Sequence, residues 1–242
     1  MHTRGVKRLL SLVLFALVAL ASRPALAEAP SPELMAKLAA YAGQFDAQRH
    51  RASYLVEGRM DLLDSDGKPD STQELKARVE PNGDEGKVTV IRFVEDGKDK
   101  TADAADKARE SEEKHKKHRH EGRRLKMPIR ADQQARYVFD QVETDAGASR
   151  ARVTFVPKTP ADDTFEGSAW VDTSTGTILS AGFKLSRTPM FVDYVHFSVE
   201  FGAQTSLGPA VSRLTVEGQG GILFFRKHFL ATATLSDYRI AP

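Results

Sequence analysis

The stretch Phe165-Glu166-Gly167-Ser168-Ala169-Trp170-Val171-Asp172-Thr173-Ser174-Thr175-Gly176-Thr177-Ile178-Leu179-Ser180-Ala181-Gly182-Phe183-Lys184-Leu185 decides the fold class. It predicts strands over Phe165–Thr173 and Thr177–Arg187, and Asp172-Thr173-Ser174-Thr175-Gly176 between them is turn chemistry. Leu179, Ala181, Phe183 and Leu185 share one parity, the period of a strand with one buried face. Strands joined by so short a connection pair antiparallel, because a parallel pair needs a crossover of a dozen residues or more.

The same signal extends in both directions. Further strands are expected over Arg136–Thr144, Ala151–Pro157, Phe191–Gln204, Ser212–Glu217 and Leu223–Tyr238, with Gln219-Gly220-Gly221 as a turn. Phe191, Val195, Phe197, Val199 and Phe201 lie on one face, and so do Leu223, Phe225 and Phe229. Earlier in the chain, Tyr54, Val56, Gly58, Met60 and Leu62 alternate with Leu55, Glu57, Arg59 and Asp61. Leu75, Ala77 and Val79 mark a returning strand, and Val88–Val94 a third. About ten strands with no crossover helices between them predict a mainly β fold, a curved antiparallel sheet with long C-terminal strands suited to a barrel-like curl.

Two segments break the period of two. From Glu33 to about Gln48, Leu34, Leu38, Tyr41 and Phe45 recur at helical spacing behind Ser31-Pro32, a cap and first-turn pair, which predicts an N-terminal amphipathic helix. Residues 101–124 are rich in Ala, Lys and Glu, and Ala102–His120 is expected to be a charged helical insertion rather than a second domain. The rest of the chain from residue 28 to 242 is expected to form one domain.

The N-terminus carries the pattern expected of an export signal. Arg4, Lys7 and Arg8 precede Leu9–Ala21, an apolar run of 13 residues broken only by Ser11. That is shorter than the ~20 residues of a membrane span. Ala25-Leu26-Ala27 then offers a small-x-small cleavage site, so residues 1–27 are expected to be a signal peptide cut after Ala27. Loss of Arg4, Lys7, Arg8 and Arg23 leaves 31 basic and 33 acidic residues, a net charge of −2. The basic balance that nucleic-acid binding draws on therefore belongs to the discarded segment. With no cysteine, there is neither a disulfide framework nor a lipid-bearing N-terminal Cys. A periplasmic or secreted protein is expected.

The order of these elements, with Glu166-Gly167-Ser168-Ala169-Trp170-Val171-Asp172 followed by Thr175-Gly176-Thr177-Ile178, resembles the LolA/LolB-type superfamily of periplasmic lipoprotein carriers and related lipid-binding domains. The resemblance implies an unclosed β-barrel whose concave apolar face is covered by helices. It also implies a lipid, or the acyl chain of a lipoprotein, as partner, in outer-membrane lipoprotein or lipid trafficking. Two features depart from the carriers. Nothing local distinguishes Arg51 from Arg59 as the arginine that closes a carrier's lid, and the charged segment Lys107–Arg124 is long and polar for a helix that covers an acyl chain.

The residues expected to line such a trough are Leu38 and Phe45 of the helix, and Trp170, Phe183, Phe197, Phe201 and Phe225 of the strands. Trp170 also reads as a core filler. No catalytic role and no cofactor are expected: there is no Gly-x-Ser-x-Gly elbow and no phosphate-binding glycine loop. His115, His118 and His120 form the one weak metal alternative, set against Lys116, Lys117 and Arg119, which repel a cation. The same stretch, Lys114–Lys126, with seven Lys or Arg and one acid, also reads as a contact for an anionic membrane surface. Three rivals stay open. One is a non-catalytic structural or interaction protein with a filled β core. Another is a hydrolase using His196 or His228. The third is an outer-membrane barrel, opposed by Lys184, Asp193 and Lys227 on its lipid-facing parities.

Overall fold

The computed structural model describes residues 28–82, 85–117, 126–206, 208–222 and 225–241. The expected signal peptide lies outside them. Helix α1 spans Pro32–Arg49, and α2 spans Thr101–Lys117. The strands are β1 (Ala52–Leu63), β2 (Pro69–Asn82), β3 (Glu85–Glu95), β4 (Lys98–Asp99), β5 (Tyr137–Asp145), β6 (Arg150–Pro157), β7 (Phe165–Asp172), β8 (Ile178–Leu185), β9 (Val192–Glu200), β10 (Ala203–Thr205), β11 (Gly208–Ala210), β12 (Arg213–Ile222) and β13 (Phe225–Ile240).

Eleven strands form one antiparallel sheet in the order β4-β3-β2-β1-β13-β12-β9-β8-β7-β6-β5, and β10 and β11 form a small separate hairpin. Strands β1 to β4 build outward from the middle of the sheet. Strands β5 to β9, then β12 and β13, build inward from the opposite edge, so the first and last strands meet. Their seam pairs Val56 with Leu235, Gly58 with Ala233 and Met60 with Ala231. The edges β4 and β5 stay unpaired with each other, which leaves a curved open sheet and not a closed barrel. The expected mainly β, half-barrel architecture is what the chain forms. The additional strands are β4, β10 and β11, two or three residues each and too short to show a period.

Cross-strand register turns the sequence parities into one continuous inner face. One row runs Phe93, Leu75, Gly58, Ala233, Leu214, Val199, Ala181, Ala169 and Val153. The next runs Gln73, Met60, Ala231, Val216, Phe197, Phe183, Gly167, Phe155 and Phe139. Apolar side chains occupy nearly every position, as one-sided burial requires. A bulge between Trp170 and Val171 sets Ile178, not Leu179, opposite Val171, so Ile178 enters the core.

Helix α1 covers only half of this face. Ser31 Oγ accepts the Leu34 N–H at 3.2 Å and Pro32 sits in the first turn. Leu34, Leu38, Tyr41 and Ala42 are buried against Ala151, Val153, Phe155, Phe165, Ala169, Val171, Ile178 and Phe201 of the β5–β9 half. The large aliphatic and Phe side chains among them, such as Leu38, Val153 and Phe155, each contribute roughly 1.5–3 kcal/mol through burial. Polar contacts anchor the helix: Asp46 pairs with Arg130, and Gln134 Nε2 donates to the Met35 carbonyl at 3.0 Å. The turn after β7 reaches α1 through Gly176, at φ +75°, where an added Cβ would lie 2.5 Å from Lys37 Cβ. Both the backbone region and the close approach require glycine there.

Helix α2 packs along β3, with the Phe93 N–H donating to Thr101 Oγ1 at 2.9 Å and Asn82 Nδ2 to Glu112 Oε1 at 3.2 Å. It ends at Lys117, within the expected charged helix, whose last residues lie outside the described set.

Candidate ligand-binding trough

The half of the inner face that α1 leaves uncovered, on β3, β2, β1, β13 and β12, holds a trough of about 260 Å³. Val56 and Met60 of β1, Leu75 of β2, Phe93 of β3, and Leu214 and Val216 of β12 form its walls. Its floor is the seam, where Gly58, Ala231 and Ala233 present almost no side chain. Small residues in the middle of long strands, flanked by larger ones, make the depression. All of these residues are half-buried, unlike the sealed core beneath α1. Three polar residues also touch the trough: Gln73, whose Nε2 donates to Glu95 Oε1 at 2.9 Å, and Arg59 and Thr232, exposed residues of the opposite strand parity to Met60 and Ala233. The lining offers a ligand burial of apolar surface and almost no hydrogen bonding.

The residues expected from the sequence divide between core, border and outside. Leu38 is 0% exposed and Phe201 8%; both belong to the sealed core. Phe45 is half-buried, stacked on Tyr41 and edge-on to Phe201 at 5.7 Å. Phe183 and Phe197 stack at 5.2 Å, and Phe197 pairs in register with Val216, so this aromatic pair borders the trough. Phe225 opens β13, and its side chain lies outside the described set. Trp170 corrects an expectation: it has the opposite parity to the buried Ala169 and Val171 and pairs with Arg152 and Ser180, so its half-buried indole belongs to the outer face. The lining residues Val56, Met60, Leu75, Phe93, Leu214, Val216, Ala231 and Ala233 were not singled out from the sequence. Their signal was the small, one-parity run of Ala231 and Ala233 opposite Gly58.

Tyr41 closes the covered side with a polar anomaly. Its hydroxyl is buried with no hydrogen-bond partner among the described residues, and burial pushes the phenol well above its usual range. By contrast, the Tyr238 hydroxyl, also pushed up by burial, donates to the Val211 carbonyl at 2.6 Å.

His196 and His228 lie on the outer face, away from the trough. His228 Nε2 stands 3.1 Å from Glu217 Oε1 and 3.3 Å from the Tyr194 hydroxyl, which donates to Glu217 at 3.2 Å. Burial and the Glu217 carboxylate raise the Tyr194 phenol. His196 is exposed, paired with Lys184 and Glu217 in register. The two histidines thus share a sheet face, as strand parity allows, on the convex side. Among the described residues no three His, Cys, Asp or Glu are grouped to hold a metal ion. His118 and His120, and the side chain of His115, fall outside the described set. Among the described residues no helix is long and apolar enough to cross a membrane.

No protein-family model and no curated protein matches the chain. Solved structures do. A DUF1329 family protein from Desulfovibrio piger aligns over 87% of this chain and 94% of its own, with 13% identity and a TM-score of 0.41. A LolA superfamily protein from Nitrosomonas europaea aligns over 86% and 94%, with 10% identity and a TM-score of 0.38. MucB, solved in complex with MucA, aligns over 85% and 99%, with 10% identity and a TM-score of 0.22.

Proposed function

We propose that this is an exported, non-catalytic protein that holds a lipid, or the acyl chain of a lipidated ligand, in the trough over the β1–β13 seam. The observation that carries the reading is the division of one apolar face into a covered and an uncovered half. Burial of apolar surface drives such binding at roughly 25 cal/mol per Å². The trough volume of about 260 Å³ lies just under the ~300–1,000 Å³ of drug-sized sites, which suits a single flexible chain better than a bulky ring system. The signal-like residues 1–27 support a site of action in the periplasm or beyond the cell, where a lipid crossing water needs a carrier.

The test is to purify the chain from residue 28 under native conditions, extract it for lipid mass spectrometry, and titrate it with a fluorescent fatty-acid probe. Co-purified lipid or saturable probe binding supports the reading. Reproducible absence of both overturns it. One observation favours the runner-up, a structural or interaction protein: the β5–β9 half of the face is already filled by its own side chains. That reading expects no probe binding at any concentration.

A further inference from the structure

A second apolar feature stands apart from the trough, at the connection between β8 and β9. Residues 186–191, Ser-Arg-Thr-Pro-Met-Phe, carry the two most exposed of the exposed large apolar side chains: Met190 at 79% and Phe191 at 57%. Isolated exposed apolar residues are ordinary; here a Met and a Phe stand exposed side by side on one connection.

The turn is built to hold them out. Phe191 has φ +70°, a left-handed backbone region that an aromatic residue adopts only under constraint. The constraint is visible: the Val192 N–H donates to the Pro189 carbonyl at 3.1 Å, and the Gly221 N–H donates to the Phe191 carbonyl at 2.8 Å. The neighbouring strand also gives way to the tip, since a Cβ on Gly220 would stand 2.6 Å from the Phe191 oxygen. A proline, two glycines and a strained φ thus fix an exposed Phe in place.

The two cations beside the tip are exposed and weakly committed. Arg187 is the one charged residue between Ser186 and Val192, and the acid Asp193 follows in β9. It faces Asp162 at 3.7 Å with both side chains largely in water. Lys227, in register with Gly220, faces Asp70 at 3.3 Å in the same condition. Exposed pairs of this kind are worth little, so either cation can exchange its carboxylate for a phosphate. A rigid apolar knob with cations beside it matches the layered chemistry of a bilayer surface: phosphate outside, acyl chains beneath. We propose that the β8–β9 tip docks this protein on a phospholipid bilayer, with Met190 and Phe191 entering the acyl boundary and Arg187 and Lys227 at phosphate depth. The inference rests on the tip alone and does not depend on what the trough holds.

The test uses vesicles of phosphatidylcholine and phosphatidylglycerol with the chain from residue 28. Trp170 is the only tryptophan, so Phe191→Trp in a Trp170→Phe background gives a single reporter at the tip. Its emission is expected to shift to the blue on adding vesicles and to be quenched by brominated acyl chains. In co-sedimentation, Met190→Ser with Phe191→Ser is expected to weaken vesicle partitioning by roughly tenfold or more. Fatty-acid probe binding should be unchanged by the double substitution, which separates failure of this inference from failure of the trough reading. A reporter that stays in water with vesicles present, a double variant that sediments like the parent chain, or a reporter buried by protein concentration alone would each overturn membrane docking.

Discussion

Gly58 and Ala233 face each other across the seam where the first strand of the sheet meets the last. One hydrogen and one methyl group occupy the centre of an inner face whose neighbours in the same row are Leu75 and Leu214. A Cβ placed on Gly58 would meet Ala233 Cβ at 3.6 Å, an ordinary contact. The depression there is thus a property of two residue choices, open to filling without displacing backbone.

Ala233→Phe is expected to fill the trough. The added ring would lie over Gly58 between Leu75 and Leu214, and fatty-acid probe affinity should fall by roughly tenfold or more, the loss of about one well-buried side chain of ligand contact. Because the site is open, overpacking should cost less than the ~1–3 kcal/mol of a sealed core. Probe titration and chemical denaturation of the same sample check both expectations. Unchanged affinity would place the ligand elsewhere.

Alkaline titration should separate the native chain from its unfolded form. Burial raises the phenols of Tyr41, Tyr137 and Tyr238, and Tyr194 is raised by burial together with Glu217. A phenol whose folded pKa exceeds its unfolded value of ~10 keeps its proton longer in the native state. Its contribution to stability is therefore complete below about pH 10 and is lost as pH rises towards the folded pKa. Phenolate absorbance of the native protein should lag that of the denaturant-unfolded protein, and unfolding should set in above about pH 10. Coincident titration curves would contradict the burial of these rings.

Tyr41→Phe should stabilise the chain. The hydroxyl is buried without a partner among the described residues, and an unsatisfied buried polar group costs roughly 1–3 kcal/mol. The ring itself, stacked on Phe45 and edge-on to Phe201, is retained by the substitution. Urea denaturation should show a higher midpoint at unchanged slope; a lower midpoint would mean that the hydroxyl has a partner in solution.

The parities of β7 to β9 were legible because each strand carries its own alternation. Phe183, Phe197 and Phe201 face inward on that ground alone. The face of Trp170 was legible as well: Glu166, Ser168 and Asp172 share its parity and are polar, whereas Ala169 and Val171 do not share it and are buried. The size of a lone tryptophan outweighed the pattern around it. The position of the trough was not legible. It depends on β13 returning to pair with β1, a contact between residues some 175 positions apart such as Gly58 and Ala233, and on α1 stopping short of that seam. Periodicity reports which face of a strand is apolar; strand order decides which part of that face a helix can cover.

Leu38→Ala should distinguish the sealed half from the open half. Leu38 is fully buried at the centre of the α1 contact, where truncation of a leucine costs roughly 2–5 kcal/mol. The midpoint of thermal or chemical unfolding should fall accordingly. Probe affinity, measured well below that midpoint, should change far less than in Ala233→Phe, because Leu38 does not line the trough. Equal losses of affinity in the two variants would mean that ligand enters beneath α1.

Trp170→Phe provides the sharpest contrast with the reading made from the sequence. If the indole lined the trough, its removal would weaken binding, and its emission would respond when the trough is occupied. The register instead sets it between Arg152 and Ser180 on the convex face, with Ala169 and Val171 turned the other way. Fatty-acid probe affinity should therefore match that of the parent chain within about twofold, far short of the tenfold step that ~1.4 kcal/mol represents. Tryptophan emission of the parent chain should keep its wavelength as non-fluorescent fatty acid is added. A shifted emission accompanied by weakened binding in the variant would return Trp170 to the site and reverse the assignment of the two faces.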